Sequence, residues 1–144
     1  MKHKTVFSLL LFCYLAVLFQ YTVFRPGFGS YPLFSHGSFN TELFTDLLRI
    51  RRNSEARFLY LFLGNIFTFL PFGFLVLPLV GGKQTGRAFL LTVISGFFLS
   101  LTIELAQWAF GVGVSELDDL ILNTFGVFLG ALCCLPFRKA VIQK

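Results

Sequence analysis

Four long apolar runs, joined by short polar segments, are the feature that most constrains how this chain can fold. They cover about residues 5–24, 58–80, 88–110 and 117–137. A helix of about 20 apolar residues crosses the hydrocarbon core of a bilayer, and helices satisfy their own backbone hydrogen bonds there. Hydrophobic residues make up 56% of the chain, well above the share in soluble domains. The sequence therefore predicts an all-α membrane protein with four transmembrane helices in a single domain.

The segment between the first two runs contains an amphipathic stretch from about residue 41 to 57. Asn40 or Thr41 can cap the start of a helix here, and Glu42 and Asp46 lie near that start, where the helix dipole favours acids. The stretch predicts a short interfacial helix with its apolar side in the acyl boundary. The residues predicted to bind lipid headgroups are Arg49, Arg51, Arg52 and Arg57.

The formal charge of +5 is concentrated at the ends of the runs and in the first loop. This placement favours contact with headgroup phosphates over nucleic acid. Four spans put both termini on one side, and the basic residues of that side predict that the termini are cytoplasmic, although the first loop also contains arginines. The basic residues on the terminal side are Lys2, Lys4, Lys83, Arg87, Arg138, Lys139 and Lys144.

Polar residues recur inside the last three runs at one predicted depth. The start of the second run, the end of the third and the start of the fourth must share a membrane face. Asn65, Glu104 and Asn123 lie six or seven residues from those ends, which is roughly 10 Å at the helical rise per residue. We expect these groups to form one polar cluster together with Gln107, Glu116, Asp118 and Asp119.

Small residues share the same helical faces. Gly96 lies four residues before Ser100 on the third run, and Gly126 and Gly130 form a GxxxG pair on the fourth. Such residues allow helix backbones to approach closely in a membrane. We therefore predict helix packing at these glycines, with the polar cluster above it.

The cluster has both a structural and a functional interpretation. Polar side chains in spans often only hydrogen-bond to neighbouring helices, and Asp118 or Asp119 can stabilise the start of the fourth helix. A carboxylate at the depth of Glu104 is costly without a partner, which favours a functional role.

Several chemistries fit such a cluster. Carboxylates and amides can ligate Mg²⁺ or Ca²⁺, with Glu104, Asp118 and Asp119 as the candidate ligands, although no cofactor is required. Paired acids can also transfer protons. A zinc centre is not expected, because His3 and His36 lie far from these residues in the sequence. Nothing in the spacing chooses between these alternatives.

Three motifs together resemble the VanZ-like family of small bacterial membrane proteins. They are NIFTFLPFGF at residues 65–74, ELAQ at 104–107 and ELDDLILNTFG at 116–126. The family often has Asp at the position of Glu116 and, in many members, an Arg just upstream, where this chain has Gly113 and Val114. Arg51, Arg52 or Arg57 from the first loop could supply the missing cation.

The resemblance implies a role at the cell envelope, because the family's named member is associated with low-level resistance to teicoplanin. The expected partners are the bilayer and a lipid-linked cell-wall precursor or a glycopeptide. The leading hypothesis is a membrane-embedded site that binds a headgroup, a cation or a related ligand. An acid–base or metal-assisted enzyme acting on an envelope lipid is one alternative, and a small proton- or cation-coupled transporter or assembly partner is another.

Overall fold

The computed structural model describes residues 2–80 and 84–142, with side chains from residue 3 to residue 138. The described residues form five α-helices and two short strands. In chain order they are α1 Lys2–Thr22, β1 Ser38–Asn40, α2 Thr45–Asn53, α3 Glu55–Val76, α4 Thr85–Phe110, β2 Val114–Glu116 and α5 Leu117–Ile142. Among these helices α1, α3, α4 and α5 are long and apolar enough to cross a membrane. The predicted all-α membrane fold is thus confirmed.

The helix ends differ by a few residues from the predicted spans. The second span begins at Glu55 because the Ser54 hydroxyl accepts a hydrogen bond from the backbone N–H of Arg57 and caps α3. The same helix ends at Val76, two residues before Pro78, whose ring cannot continue a helix. Residues 81–83 of the predicted basic turn, and the terminal Lys144, lie outside the described residues.

The start of α2 corrects the predicted cap. Neither Asn40 nor Thr41 caps this helix, which is shorter than predicted and has Phe44 at its N-cap in the left-handed conformation (φ 54°). The carboxylate of Asp118 holds this N-cap residue in place, since its Oδ1 accepts a hydrogen bond of 2.8 Å from the Phe44 backbone N–H. Asn40 instead donates to Asp46 at the start of the helix. A hydrogen bond from a residue distant in sequence therefore ties the start of α2 to the first turn of α5.

Glycines bring α3 and α5 into backbone contact. A Cβ on Gly126 would overlap the carbonyl oxygen of Ile66, and a Cβ on Gly130 would overlap that of Leu70. The two glycines of the GxxxG pair therefore lie directly on the α3 backbone. Only residues without a side chain permit this approach, which gives the pair of helices extensive dispersion contact.

The third central helix, α4, packs on the same part of α5. Gly96 lies against the side chain of Val127, which is fully buried. Val127 joins Phe69, Phe72 and Ile103 in a buried apolar cluster shared by α3, α4 and α5. These three helices form the centre of the bundle.

The first helix joins this centre from one side. Leu18 of α1 and Val23 just after it belong to the same buried cluster. The Tyr14 hydroxyl donates a hydrogen bond of 2.9 Å to the Thr68 carbonyl of α3. Most other apolar side chains of α1 are exposed, as expected for a helix at the lipid-facing edge of a bundle.

The two strands form a parallel pair that the sequence did not predict. β1 from the first loop aligns with β2 from the connection between α4 and α5, with Phe39 opposite Ser115. The backbone N–H of Phe34 also donates to the Ala109 carbonyl at the end of α4. We refer to β1 and β2 together as the clasp, because they fasten the first loop over the ends of the central helices.

The close approach of α3 and α5 predicts a large effect of one added methyl group. Gly130→Ala should lower the free energy of unfolding by about 1–3 kcal/mol, as overpacking of a filled core does. The measurement is thermal unfolding in detergent micelles.

Gly64→Ala provides the matched control, because a Cβ on this α3 glycine meets nothing within 4 Å. It should leave stability unchanged or raise it by about 0.5–1 kcal/mol. Equal stability of the two variants would contradict the packing described above.

Candidate functional site

A cavity of about 510 Å³ lies among α1, α3, α4 and α5. Exposed residues of α1 and α3 form part of its rim, including Tyr21 and Tyr60, each of which is 78% exposed. The cavity therefore connects the interior of the bundle with the surface that faces lipid. The predicted site residues that line it are Asn65, Glu104, Gln107, Asp119 and Asn123.

Asp119 contributes a carboxylate from the first turn of α5. Its Oδ1 accepts a hydrogen bond from the Asn65 side-chain amide of α3. The N-terminal end of a helix carries partial positive charge, which stabilises a carboxylate there. Among the described residues no basic side chain forms an ion pair with Asp119. The carboxylate is thus positioned by an amide and a helix end, without a neutralising cation.

Glu104 contributes a second carboxylate from α4 and is only 4% exposed. Its Oε2 accepts a hydrogen bond of 2.8 Å from the backbone N–H of Glu116 in β2. Hydrogen bonds to charged acceptors are stronger than those between neutral groups. Glu104 therefore lines the cavity and also holds the clasp on the end of α4.

Asn123 of α5 is as deeply buried as Glu104. Its Nδ2 donates a hydrogen bond of 2.9 Å to the Ser100 hydroxyl of α4. Its Oδ1 is buried and has no hydrogen-bond partner among the described residues. An unsatisfied buried acceptor costs about 1–3 kcal/mol, which is why such groups call for an explanation. Asn123 thus links α5 to α4 beside the cavity.

Arg25 is a lining residue that the sequence analysis did not select. It follows the end of α1, where Gln107 Nε2 donates a hydrogen bond of 3.1 Å to the Thr22 carbonyl. Its guanidinium lies against Gly113, since a Cβ on that glycine would overlap Arg25 Nη2. Neither an ion pair nor a hydrogen bond holds this guanidinium within the described part of the chain.

Arg25 thus stands where a cation from the first loop was expected. The sequence signal for Arg25 was its place directly after the first apolar run, at the same membrane face as the polar cluster.

The arginines predicted to bind headgroups do not line the cavity. Arg49 pairs with Asp46 at 3.1 Å on the exposed surface of α2. Arg51 and Arg52 flank a separate shallow depression beside Leu48. Their predicted role with Arg57 in headgroup binding stays a prediction.

Two of the predicted acids lie outside the cavity lining. Asp118 faces the start of α2 through its hydrogen bond to the Phe44 backbone. Glu116 sits in β2, where its backbone meets Glu104. Among the described residues no group of three or more His, Cys, Asp and Glu side chains is arranged to hold a metal ion. A cation at Glu104, Asp118 and Asp119 stays a prediction.

The family model VanZ/LLP1 matches residues 7–139. The chain belongs to this family. It is 38% identical over 80 residues to Protein VanZ of Enterococcus faecium, a match that covers 56% of this chain and 47% of that protein. The chain thus matches about half the length of this curated relative. No solved structure matches the chain.

The surroundings of the Glu116 carboxyl predict that the stability of this VanZ/LLP1-family protein depends on pH. Burial raises the pKa of the Glu116 carboxyl above its ordinary value, and the nearby charges of Asp118 and Asp46 raise it further. A carboxyl with a raised folded-state pKa binds its proton more tightly in the folded state. Its contribution to stability is therefore greatest at acidic pH and falls as the pH rises from the ordinary value towards the raised one.

Glu116→Gln removes this titration. We expect the variant to match the wild type in melting temperature at a pH below the ordinary carboxyl pKa, and to exceed it near neutral pH. Thermal unfolding of both proteins in the same micelles at both pH values measures the difference. A variant that is less stable than the wild type near neutral pH would show that the Glu116 charge stabilises the clasp.

Proposed function

We propose that this protein is a multi-pass protein of the bacterial cytoplasmic membrane that binds the polar headgroup of an envelope lipid or amphiphile. The observation that carries the proposal is the cavity, whose inner wall bears carboxylates and amides while its rim reaches the lipid-facing surface. Polar groups at membrane depth otherwise face protein or water-filled space. A cavity open to lipid suits a ligand that has both a polar head and an apolar body.

The contacts on the inner wall favour binding over a purely structural role. Asn65 and Asp119 hydrogen-bond to each other, yet both line the cavity rather than a closed helix interface. The Asp119 carboxylate also has no ion-pair partner among the described residues, so a positively charged ligand group would complement it.

In the cell, this binding would contribute to teicoplanin tolerance. The curated relative carries the name Protein VanZ, and the resemblance links that family to glycopeptide tolerance. The partner would be a lipid-linked cell-wall precursor or the glycopeptide itself, held by its polar part. Binding either one near the membrane surface would change how much drug reaches its target.

The proposed orientation places the termini in the cytoplasm and the cavity rim towards the outer surface. Arg87 begins α4 and Arg138 lies near the end of α5, so both belong to the terminal side. The positive-inside rule supports this arrangement, although the first loop is also basic.

Asp119→Asn tests the binding site with little change in fold. The asparagine can still accept the hydrogen bond from Asn65, but the cavity loses a negative charge. In a susceptible host that expresses the chain, the variant should lose the teicoplanin tolerance that the wild type confers, at unchanged protein level. The measurement is the minimum inhibitory concentration beside an immunoblot of the membrane fraction.

Glu42→Gln is the control, because this exposed acid of the first loop lies outside the cavity. It should retain full tolerance. Full tolerance in both Asp119→Asn and Glu104→Gln would refute the assignment of the cavity. A wild-type chain that confers no tolerance would refute the link to glycopeptides.

Orientation is tested by cysteine labelling. In a background with Cys13, Cys133 and Cys134 replaced by Ser, we expect Ser30→Cys in the first loop to react with an impermeant maleimide in intact cells. Gln84→Cys, just before α4, should react only after the membrane is opened. The reverse pattern would place the cavity rim on the cytoplasmic side.

A further inference from the structure

The inner wall of the cavity carries two acidic side chains. Asp119 and Glu104, which line it, supply carboxylate oxygens. Each of the two asparagine amides beside them donates one hydrogen bond within the protein, Asn65 to Asp119 and Asn123 to Ser100. The complementary ligand group is therefore a donor with positive charge. A primary ammonium fits, because it carries three N–H donors and no acceptor.

The α1 side of the same cavity presents the opposite chemistry. The Arg25 guanidinium lies there against Gly113 and has no ion-pair partner among the described residues. A guanidinium offers several N–H donors in a planar fork that matches phosphate or carboxylate oxygens. The cavity is thus lined by an unpaired cation on one side and by carboxylates on another. Asp46 and Arg49, by contrast, form an ion pair on the surface of α2.

We infer that the cavity takes a zwitterionic headgroup, with a primary ammonium beside Asp119 and Glu104 and a phosphate or carboxylate at Arg25. The inference rests on the proposed headgroup site and adds the class of ligand. A simple anion would leave the carboxylates without a counter-charge, and a simple cation would leave Arg25 without one. A headgroup that carries both charges a few bonds apart satisfies both sides at once.

The rim explains how the apolar part of such a ligand is accommodated. Val17 and Tyr21 of α1 and Tyr60 of α3 line the cavity and are exposed on the lipid-facing surface. An acyl chain can pass between these helices into the bilayer while the headgroup stays inside. Tyrosine is common at this level of a membrane because its ring is apolar and its hydroxyl is polar.

The test compares amphiphiles that differ only in the headgroup. The full chain is purified in detergent, and native mass spectrometry measures the binding of phosphatidylethanolamine, phosphatidylcholine and phosphatidylglycerol with the same acyl chains. Phosphatidylcholine has the same charges as phosphatidylethanolamine but no N–H donors. We expect phosphatidylethanolamine to bind at least about tenfold more tightly than phosphatidylcholine, a ratio that corresponds to 1.4 kcal/mol.

A fourth amphiphile distinguishes the two sources of the anion. S-hexadecylcysteine carries an ammonium beside a carboxylate instead of a phosphate. Tighter binding of this compound than of phosphatidylcholine would support the zwitterionic site with an amino-acid-type ligand. Tighter binding of phosphatidylethanolamine than of S-hexadecylcysteine would support it with a phospholipid-type ligand.

Variants connect the selectivity with the cavity. Asp119→Asn, which keeps an acceptor for Asn65, should reduce the preference for phosphatidylethanolamine over phosphatidylcholine to near unity. Arg25→Gln should weaken the binding of phosphatidylethanolamine about tenfold or more, since charge-assisted hydrogen bonds are the strong ones. Arg87→Gln, an exposed arginine at the other end of the bundle, should change neither value.

The failures are distinguishable. Equal binding of phosphatidylethanolamine and phosphatidylcholine would overturn the primary-ammonium site, and a preference for phosphatidylglycerol would overturn the zwitterionic site. If Asp119→Asn and Arg25→Gln nevertheless abolish lipid binding, the proposal that the cavity binds a headgroup still stands. Lipid binding that neither cavity variant changes would overturn both the zwitterionic site and the proposed headgroup binding. The comparison in the wild-type chain needs no variant to fold.

Discussion

The fold depends on how polar side chains are satisfied where hydrocarbon surrounds the protein. Water is scarce at that depth, so each carboxylate and amide must find a partner from another segment of the chain. Asp119 meets Asn65, Asn123 meets Ser100, and Glu104 meets the backbone of Glu116. These three links join α5 to α3, α5 to α4, and α4 to β2. Together they set the relative positions of the central helices at one end of the bundle.

Close backbone packing provides the second constraint, on the side away from the polar groups. Gly126 and Gly130 let α5 lie on the α3 backbone, and Gly96 admits Val127 from α5 into α4. The helices therefore meet tightly in one region and separate around a cavity in another. The polar hydrogen bonds alone would not form the apolar centre of the bundle, and the glycine contacts alone would not account for a cavity between the helices. The candidate site exists because both constraints act on the same three helices.

Much of this arrangement could be predicted because the relevant signals are local. Apolar run length predicted the four spans, and chain connectivity indicated which run ends share a membrane face. The features that the sequence did not reveal depend on contacts between distant segments. The clasp consists of three-residue strands that only pairing with each other defines, and α2 starts where Asp118 from α5 accepts the Phe44 N–H. Arg25 was overlooked for the same reason, because its meeting with Gly113 requires the first loop to fold back over α4.

The central claim is that acids and amides from separate spans face one cavity that a lipid headgroup enters from the bilayer. A cryo-electron microscopy map of the protein in a lipid nanodisc, with a bound antibody fragment for alignment, tests it most directly. We expect elongated non-protein density between α1 and α3, with its polar end within hydrogen-bond distance of Asp119. A map in which α1 closes fully on α3, or in which Asp119 and Glu104 point away from each other into separate interfaces, would contradict it.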